Sequence, residues 1–322
     1  LKLDNRIMHY AWGTKNQIPN FLGIEESNEP CAEIWLGTHS DCSTSNGIPL
    51  RQLINRDLRF LMKLLSIEQP LSIQCHPDQL AAEESFRLKH ASYRDSNAKP
   101  ELLVALTPTV CLCGFELLST IKAELMHLNL EFLVCDSVQE ILQKVLSLSA
   151  NQLKDVLYRL KTQKFLQKEK QQQFDQAFQI YQDSGLLFFV LLKIHFLQPR
   201  EAIYIKPGTV HCYLQGFGLE VMKSSDNVLR GGLTVKEVNV EEFVKITKIE
   251  NECQRIEAFK QFKCEDFEIQ FFTQRFVSQK GSIALVLRGR CRCKEQVFKK
   301  GESFYCVEDQ EVEVDGEVAA AW

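Results

Sequence analysis

Polar residues alternate with apolar ones in a short stretch near position 74. The alternate polar residues are Ser72, Gln74 and His76. Side chains two apart in a strand share a face, so these three are predicted on one face and the apolar residues between them in a core. Pro77 is predicted to end the strand, because proline cannot donate a hydrogen bond to a central ladder.

Two further stretches show the same alternation. In the run 99–104, Lys99 and Glu101 are predicted on one face and Leu102 and Val104 on the other. Farther along, a Lys-Pro-Gly turn at 206–208 precedes a second short strand that His211 opens. These polar faces have little reason to be core, and they are typical of the wall of a binding or metal site.

Residues 116–185 have helical periodicity instead. Apolar residues recur at helical spacing from Val138 to Leu146, and Ser137 with Glu140 makes a capping box before that run. Ser149 with Gln152 precedes the next run in the same way. These stripes are interpreted as packing faces, and the polar run 161–173 as a solvated helix or connector.

From residue 186 onward the pattern returns to strands with glycine at turn-like intervals. Short alternating strands at this spacing predict a sandwich or jelly roll. We therefore expect a mainly β protein with an α insertion. The expected parts are the start of a metal-binding β domain at 1–115, a helical insertion at 116–185, the rest of the metal-binding domain at 186–240, and a C-terminal β domain at 241–322.

The polar strand residues include a possible metal-ligand set of two nitrogens and two oxygens. Its members are Gln74, His76, Glu101 and His211. Such a set suits a borderline divalent ion such as zinc. Only Gln74 and His76 are fixed together by sequence, since they share a strand. Each residue also has a simpler interpretation: His76 as a capped surface histidine, Glu101 in a solvated ion pair with Lys99, and His211 as a loop cap.

Composition narrows the range of partners. The chain has 322 residues, is 45% hydrophobic and 25% charged, and carries a formal charge of −4, which predicts no nucleic-acid binding. No apolar run reaches the ~20 residues of a membrane helix, so no membrane partner is expected. The 12 cysteines are scattered and no signal peptide is recognised, so reduced thiols and a cytoplasmic location are expected. The Cys291–Cys293 pair is interpreted as structural.

Five ordered motifs together resemble the type I mannose-6-phosphate isomerase (phosphomannose isomerase) family of the cupin superfamily. They lie at 10–14, 32–40, 60–78, 93–108 and 208–234. The resemblance implies cupin β domains with a helical domain. It also implies a reversible aldose–ketose isomerisation between mannose 6-phosphate and fructose 6-phosphate through an enediol(ate), with one zinc ion, although other divalent metals could substitute.

The resemblance also assigns site residues. The zinc ligands fall on Gln74, His76, Glu101 and His211, and the catalytic arginine falls on Arg230. Lys99 is assigned to proton transfer or, alternatively, to substrate binding. Glu220 and Asp226 are further candidates for the base, and the sequence does not rank them. The expected substrate contacts are Lys63 and Ser72 towards the phosphate, and Trp12 in the sugar pocket.

Two positions depart from the family pattern. Ala98 stands where the family commonly has a histidine that has been considered for proton transfer. Cys75 stands where an alanine is usual, and it is expected to be tolerated because it faces the core.

Ala98 keeps an alternative open: a non-catalytic zinc cupin that binds a sugar phosphate. A cupin oxygenase that uses iron is a third possibility, but that class usually has more histidines than the 7 found here. A small sugar phosphate is the expected partner of the chain, and we expect a monomer because no heptad repeat or exposed apolar stripe demands another subunit.

Overall fold

The computed structural model describes residues 1–39 and 42–322, so Ser40, the last residue of the 32–40 motif, lies outside the described residues. The strands, in chain order, are β1 (Lys2–Leu3), β2 (Ile7–Met8), β3 (Glu33–Leu36), β4 (Thr44–Ser45), β5 (Ile48–Pro49), β6 (Phe60–Ile67), β7 (Ile73–Cys75), β8 (Glu101–Ala105), β9 (Thr109–Phe115), β10 (Leu192–Leu197), β11 (Ala202–Ile205), β12 (His211–Lys223), β13 (Leu229–Gly232), β14 (Gln254–Ile256), β15 (Gln261–Lys263), β16 (Glu268–Phe272), β17 (Phe276–Ser278), β18 (Ile283–Cys293), β19 (Gln296–Lys299), β20 (Ser303–Tyr305) and β21 (Gln310–Ala321).

The α-helices are α1 (Gln17–Leu22), α2 (Leu50–Ile54), α3 (Gln79–Arg87), α4 (Leu118–His127), α5 (Val138–Leu146), α6 (Ala150–Thr162), α7 (Lys168–Ile180), α8 (Phe188–Leu191) and α9 (Val240–Ile246). The hydroxyl of Ser149 and the side chain of Gln152 form the complete predicted capping box of α6. Before α5, the Ser137 hydroxyl accepts from the backbone N–H of Glu140, but the Glu140 carboxylate accepts from the backbone N–H of Asp136, so only half of the predicted box is formed. These caps fix the starts of two helices in the insertion.

Two large sheets dominate the described residues. The first has eight strands and runs β1-β20-β18-β21-β16-β15, with β17 and β19 at its margins. The second has eleven strands and runs β14-β11-β8-β12-β6-β3-β2, with β7, β9, β10 and β13 joined through β12 and each other. An apolar core that includes Leu64, Leu219, Ile269 and Leu285 lies between strands of the two sheets.

Strand β12 connects the two parts of the eleven-stranded sheet. Its first residues pair with β7 and β9, and its later residues pair with β6 and β8. The change of partners coincides with a register shift between Tyr213 and Gln215, followed by Gly216 at φ 132°. A Cβ on Gly216 would lie 2.4 Å from Oγ1 of Thr109, so glycine is required where the strands cross.

The mainly β fold with a helical part is confirmed, and two details differ from expectation. The strand that His211 opens is long rather than short. The segment 161–173 is not simply solvated, because Lys170 and Gln173 are buried in α7. Two strands cross the expected divisions: β1 pairs with β20, and β14 pairs with β11. The four-part domain division stays a prediction.

The helices are short. In the part of the chain that the structure describes, none combines the length and the apolar character needed to cross a membrane.

Candidate metal centre and substrate pocket

Three buried side chains at the ends of separate strands form a compact donor cluster. The ligand atoms of His76, Glu101 and His211 all lie within 4.8 Å of one another. The Nε2 atom of His76 is 3.2 Å from Oε1 of Glu101, and Nε2 of His211 is 3.2 Å from its Oε2. β7 ends just before His76, β8 begins at Glu101 and β12 begins at His211, so strand termini bring the cluster together.

The Nδ1 atoms of both histidines, which are not the atoms facing Glu101, have backbone hydrogen-bond partners. Nδ1 of His76 is 2.8 Å from the carbonyl oxygen of Asn227, and Nδ1 of His211 is 3.1 Å from that of Thr209. A carbonyl only accepts, so each Nδ1 donates its hydrogen and each Nε2 keeps its lone pair. This arrangement orients metal-ligating histidines in proteins.

The electrostatics of the cluster suit a cation. Burial, aided by the charge of Lys99, lowers the pKa of His76 to about 4, so its ring is neutral at pH 7. Burial by itself would raise the pKa of Glu101, but the charge of Lys99 holds it well below its ordinary value. Nε2 of His76 is buried and finds no hydrogen-bond partner among the described residues. Two imidazole nitrogens and a carboxylate therefore fit a divalent metal ion.

The fourth predicted ligand lies beside this cluster. Gln74 is directly opposite His211 in the β7–β12 pair and opposite Arg230 in the β7–β13 pair. Residues directly opposite in antiparallel strands project from the same face. The pairing thus places Gln74, His211 and Arg230 in one row, as the alternation of polar residues indicated for Gln74.

A cavity of about 620 Å³ opens beside the cluster. The predicted site residues that line it are Trp12, Lys63, Ser72, Gln74, Lys99, Glu101, His211, Glu220, Asp226 and Arg230. His76 is the exception: it is 1% exposed and reaches the site through its contact with Glu101. The structure therefore gathers the predicted residues at one place, while their individual roles stay predictions.

A second row of polar residues crosses strands β3, β6 and β12. Lys63 is opposite both Trp35 and Glu220, and its Nζ lies 3.5 Å from Oε2 of Glu220 and 4.8 Å from the Trp35 ring centroid. Burial opposes the charged form of Lys63, but Glu33 and Glu220 outweigh it and raise its pKa. Burial and the charge of Glu101 raise the pKa of Glu220, although the charges of Lys63 and Lys99 act in the opposite direction.

The remaining catalytic candidates have distinct surroundings. Nζ of Lys99 lies 3.0 Å from Oε1 of Glu101. Oδ2 of Asp226 lies 3.0 Å from Nε2 of His39, and this hydrogen bond lowers the pKa of Asp226. Burial lowers the pKa of the Arg230 guanidinium, which is half-buried in the pocket wall.

Several pocket residues were missed by the sequence analysis. Glu33 and Trp35 alternate on β3, and the acceptor of the Trp35 indole N–H is Glu33. Their Glu-x-Trp alternation, inside the 32–40 motif, was an available signal. Lys236 lines the pocket from an exposed position, and no local pattern marks it.

The two departures from the family pattern occupy buried positions. Cys75 is 0% exposed, which confirms that it faces the core. Ala98 is also buried, and its backbone N–H donates to Oε1 of Gln79 at 3.2 Å. Ala98 lies outside the set of described residues that line the pocket.

The expectation that all cysteines are reduced is wrong for one pair. Cys113 and Cys253 form a disulfide, with their Cα atoms 6.3 Å apart and a sequence separation of 140 positions. Residues so distant in sequence give no local signal of pairing. Cys291 and Cys293 are buried in the core of the eight-stranded sheet, in agreement with a structural role.

The two large β-sheets, together with a histidine–glutamate–histidine centre in a pocket between strands, place the chain in the class of metal-binding cupin-like proteins. The sequence of residues 1–118 matches the family described as phosphomannose isomerase type I, catalytic domain. Mannose-6-phosphate isomerase from Escherichia coli K12 is 33% identical over 292 residues, covering 77% of this chain and 75% of that protein. The Homo sapiens enzyme is 28% identical over 297 residues, covering 74% and 70%.

Solved structures agree with these relatives. A mutant of phosphomannose isomerase from Salmonella typhimurium matches with a TM-score of 0.86 and 29% identity, over 100% of this chain and 98% of that one. A mannose 6-phosphate isomerase bound with zinc and yttrium matches with a TM-score of 0.87, the same identity and the same coverage. The chain belongs to the type I mannose-6-phosphate isomerase family.

Proposed function

We propose that this chain is a zinc-dependent isomerase that interconverts D-mannose 6-phosphate and D-fructose 6-phosphate through an enediol(ate). The observation that carries the proposal is the buried cluster of His76, Glu101 and His211, whose ligand atoms converge within 4.8 Å beside a pocket that contains Arg230. Membership of the family supplies the substrate.

Gln74, His76, Glu101 and His211 would hold the ion. When bound, zinc supplies Lewis acidity that polarises oxygens of the substrate. His76 and His211 suit this role because each donates its Nδ1 hydrogen to a backbone carbonyl and keeps Nε2 available.

Aldose–ketose isomerisation requires a base to remove the C2 proton and a proton to return to C1. Among the candidates we favour Glu220, because burial and the charge of Glu101 raise its pKa towards the range useful to a base. Asp226 is a weaker base, since its hydrogen bond with His39 lowers its pKa. Lys99 contacts Glu101 and is placed to bind a substrate oxygen or to exchange its proton.

The basic residues of the pocket, together with Ser72, divide into three functions. Arg230 would stabilise the negative charge that develops on the C1 and C2 oxygens, because a guanidinium presents several donors. Lys63, which the family resemblance assigns towards the phosphate, would instead contact the sugar and hold Glu220 in place, since Glu33 and Glu220 already compensate its charge. Ser72, with Lys236 at the exposed edge, would receive the phosphate group.

The test is turnover of mannose 6-phosphate by the purified protein, with and without chelator and with added zinc. Activity that is lost on chelation and restored by zinc is expected. A folded, zinc-loaded protein without turnover would overturn the proposal and favour a sugar-phosphate-binding cupin.

A further inference from the structure

Asn227 is a fully buried polar residue beside the metal centre. It is 0% exposed, lies three positions before Arg230, and is outside the described residues that line the pocket. A buried amide must satisfy its donors and acceptors within the protein, so the partners of Asn227 show what it holds.

The side chain of Asn227 bonds a single segment of chain. Its Oδ1 accepts the backbone N–H groups of Arg94 at 2.7 Å and Asp95 at 3.3 Å. Its Nδ2 donates to the carbonyl oxygens of Asp95 and Asn97, both at 2.9 Å. The amide thus fastens both edges of the turn 94–97, and that turn has no strand partner of its own.

The fastened turn leads directly to site residues. Lys99 follows it by two positions, and Glu101 opens β8 two positions later. The backbone carbonyl of Asn227 separately accepts the Nδ1 hydrogen of His76 at 2.8 Å. One residue therefore touches the turn that leads to Lys99 and Glu101 as well as the ring of His76, and its own chain continues to Arg230.

We propose that Asn227 is the positioning residue that sets the distance between His76, Glu101 and Lys99. This inference rests on the proposed zinc isomerase. An amide has an acceptor oxygen and two donor hydrogens on one planar group, and the turn uses both kinds. Aspartate keeps the size but cannot donate when ionised, so its second oxygen would face two carbonyl oxygens. Serine is too short to reach both edges of the turn.

The experiment compares the variants Asn227→Asp and Asn227→Ser with Asn5→Asp. Asn5 is a matched control, because its amide also bridges two partners, Ser303 and Ser43, away from the described pocket lining. Zinc affinity is measured by competition with a chelator. The kinetic constants kcat and KM are measured on mannose 6-phosphate, and the midpoint of thermal unfolding is measured without zinc. Substitutions that disturb the partners of metal ligands typically weaken binding or activity about 10–100-fold.

We expect both Asn227 variants to bind zinc at least about tenfold more weakly and to lose kcat, with Asn5→Asp close to the wild type. Asn227 variants that fold and match the wild type in zinc affinity and kcat overturn the inference. If neither variant folds, Asp95→Ala takes their place, since the Asp95 carboxylate holds the same turn through the backbone N–H of Asn97 at 2.9 Å. If Asp95→Ala then bound zinc as tightly as the wild type, the inference that the turn 94–97 positions the site would be overturned. Failure of the wild type itself to bind zinc instead rejects the proposed function.

Discussion

Lys63 and Glu220 face each other across strands β6 and β12, with Nζ 3.5 Å from Oε2 inside the substrate pocket. Lys63 compensates the charge of Glu220, while burial and Glu101 raise the pKa of its carboxyl. Because of these opposing effects, the Glu220 carboxylate can accept a proton, while Lys63 keeps it from being a buried charge without a partner. This relationship makes Glu220 the most informative residue to substitute.

Glu220→Gln is expected to lower kcat by about 10²–10⁴-fold with little change in KM, the typical loss when a general base is removed. The measurement is turnover of mannose 6-phosphate together with exchange of a C2 deuterium into solvent. Asp226→Asn is the comparison, because Asp226 has a lowered pKa, and it is expected to lose less. If Glu220→Gln still exchanged the C2 deuterium and Asp226→Asn did not, Asp226 would be the base.

Zinc is expected to stabilise the fold as well as support activity. Because the metal would bind the folded cluster alone, zinc at a thousandfold excess over Kd should add ~4 kcal/mol to the free energy of unfolding. Thermal unfolding with chelator and with zinc measures this. His76→Gln should abolish most of the zinc-dependent shift, and His9→Gln, at a partly exposed histidine, should keep it. Equal shifts in the two variants would place the zinc elsewhere.

Lys170 offers a test of a buried charge outside the pocket. Its ammonium is 1% exposed, lies 3.0 Å from Oε1 of Glu116 and donates to the carbonyl oxygen of Leu192 at 2.6 Å. Lys170→Ala leaves these groups without their partner, and about 3–5 kcal/mol of unfolding free energy should be lost. Urea unfolding measures the change. Lys164→Ala, at an exposed pair in the same region, should cost less than ~1 kcal/mol; similar losses would show that Lys170 is not held by its partners.

The Cys113–Cys253 disulfide can be tested by counting free thiols. Titration of thiols in denaturant should find two more after reduction than before it, and Cys253→Ser should remove that difference. A cross-link over so long a loop restricts the unfolded chain, so reduction should lower the free energy of unfolding by roughly 2–5 kcal/mol. Cys135→Ser, outside the disulfide, is the control. An unchanged thiol count after reduction would contradict the disulfide.

His195 should make stability depend on pH. Burial lowers its pKa, and its Nε2 lies 3.0 Å from the carbonyl oxygen of Cys113. The unfolded ring gains a proton below about pH 6.5 while the folded ring resists it, so unfolding takes up protons and stability falls as pH decreases from 7 to 5. His195→Gln should flatten that slope in urea unfolding measured across this range. A steeper slope in the variant would contradict the lowered pKa.

The sequence by itself determined the local features of the site and fold. Alternation placed Gln74 on the polar face of a strand and Cys75 in the core, because neighbouring strand side chains point to opposite faces. The Ser149–Gln152 box was likewise readable, since a helix cap is made within four residues. The resemblance to the family added a prediction of the metal ligands.

Tertiary structure alone decided which of these residues meet. His76 and His211 are far apart in sequence, and they converge because β12 pairs with β7 in one register. Long-range packing also brought Cys113 next to Cys253, and it buried Lys170 in a stretch that looked solvated. Periodicity reports the face on which a side chain lies, whereas the partner across that face depends on how distant segments pack and pair.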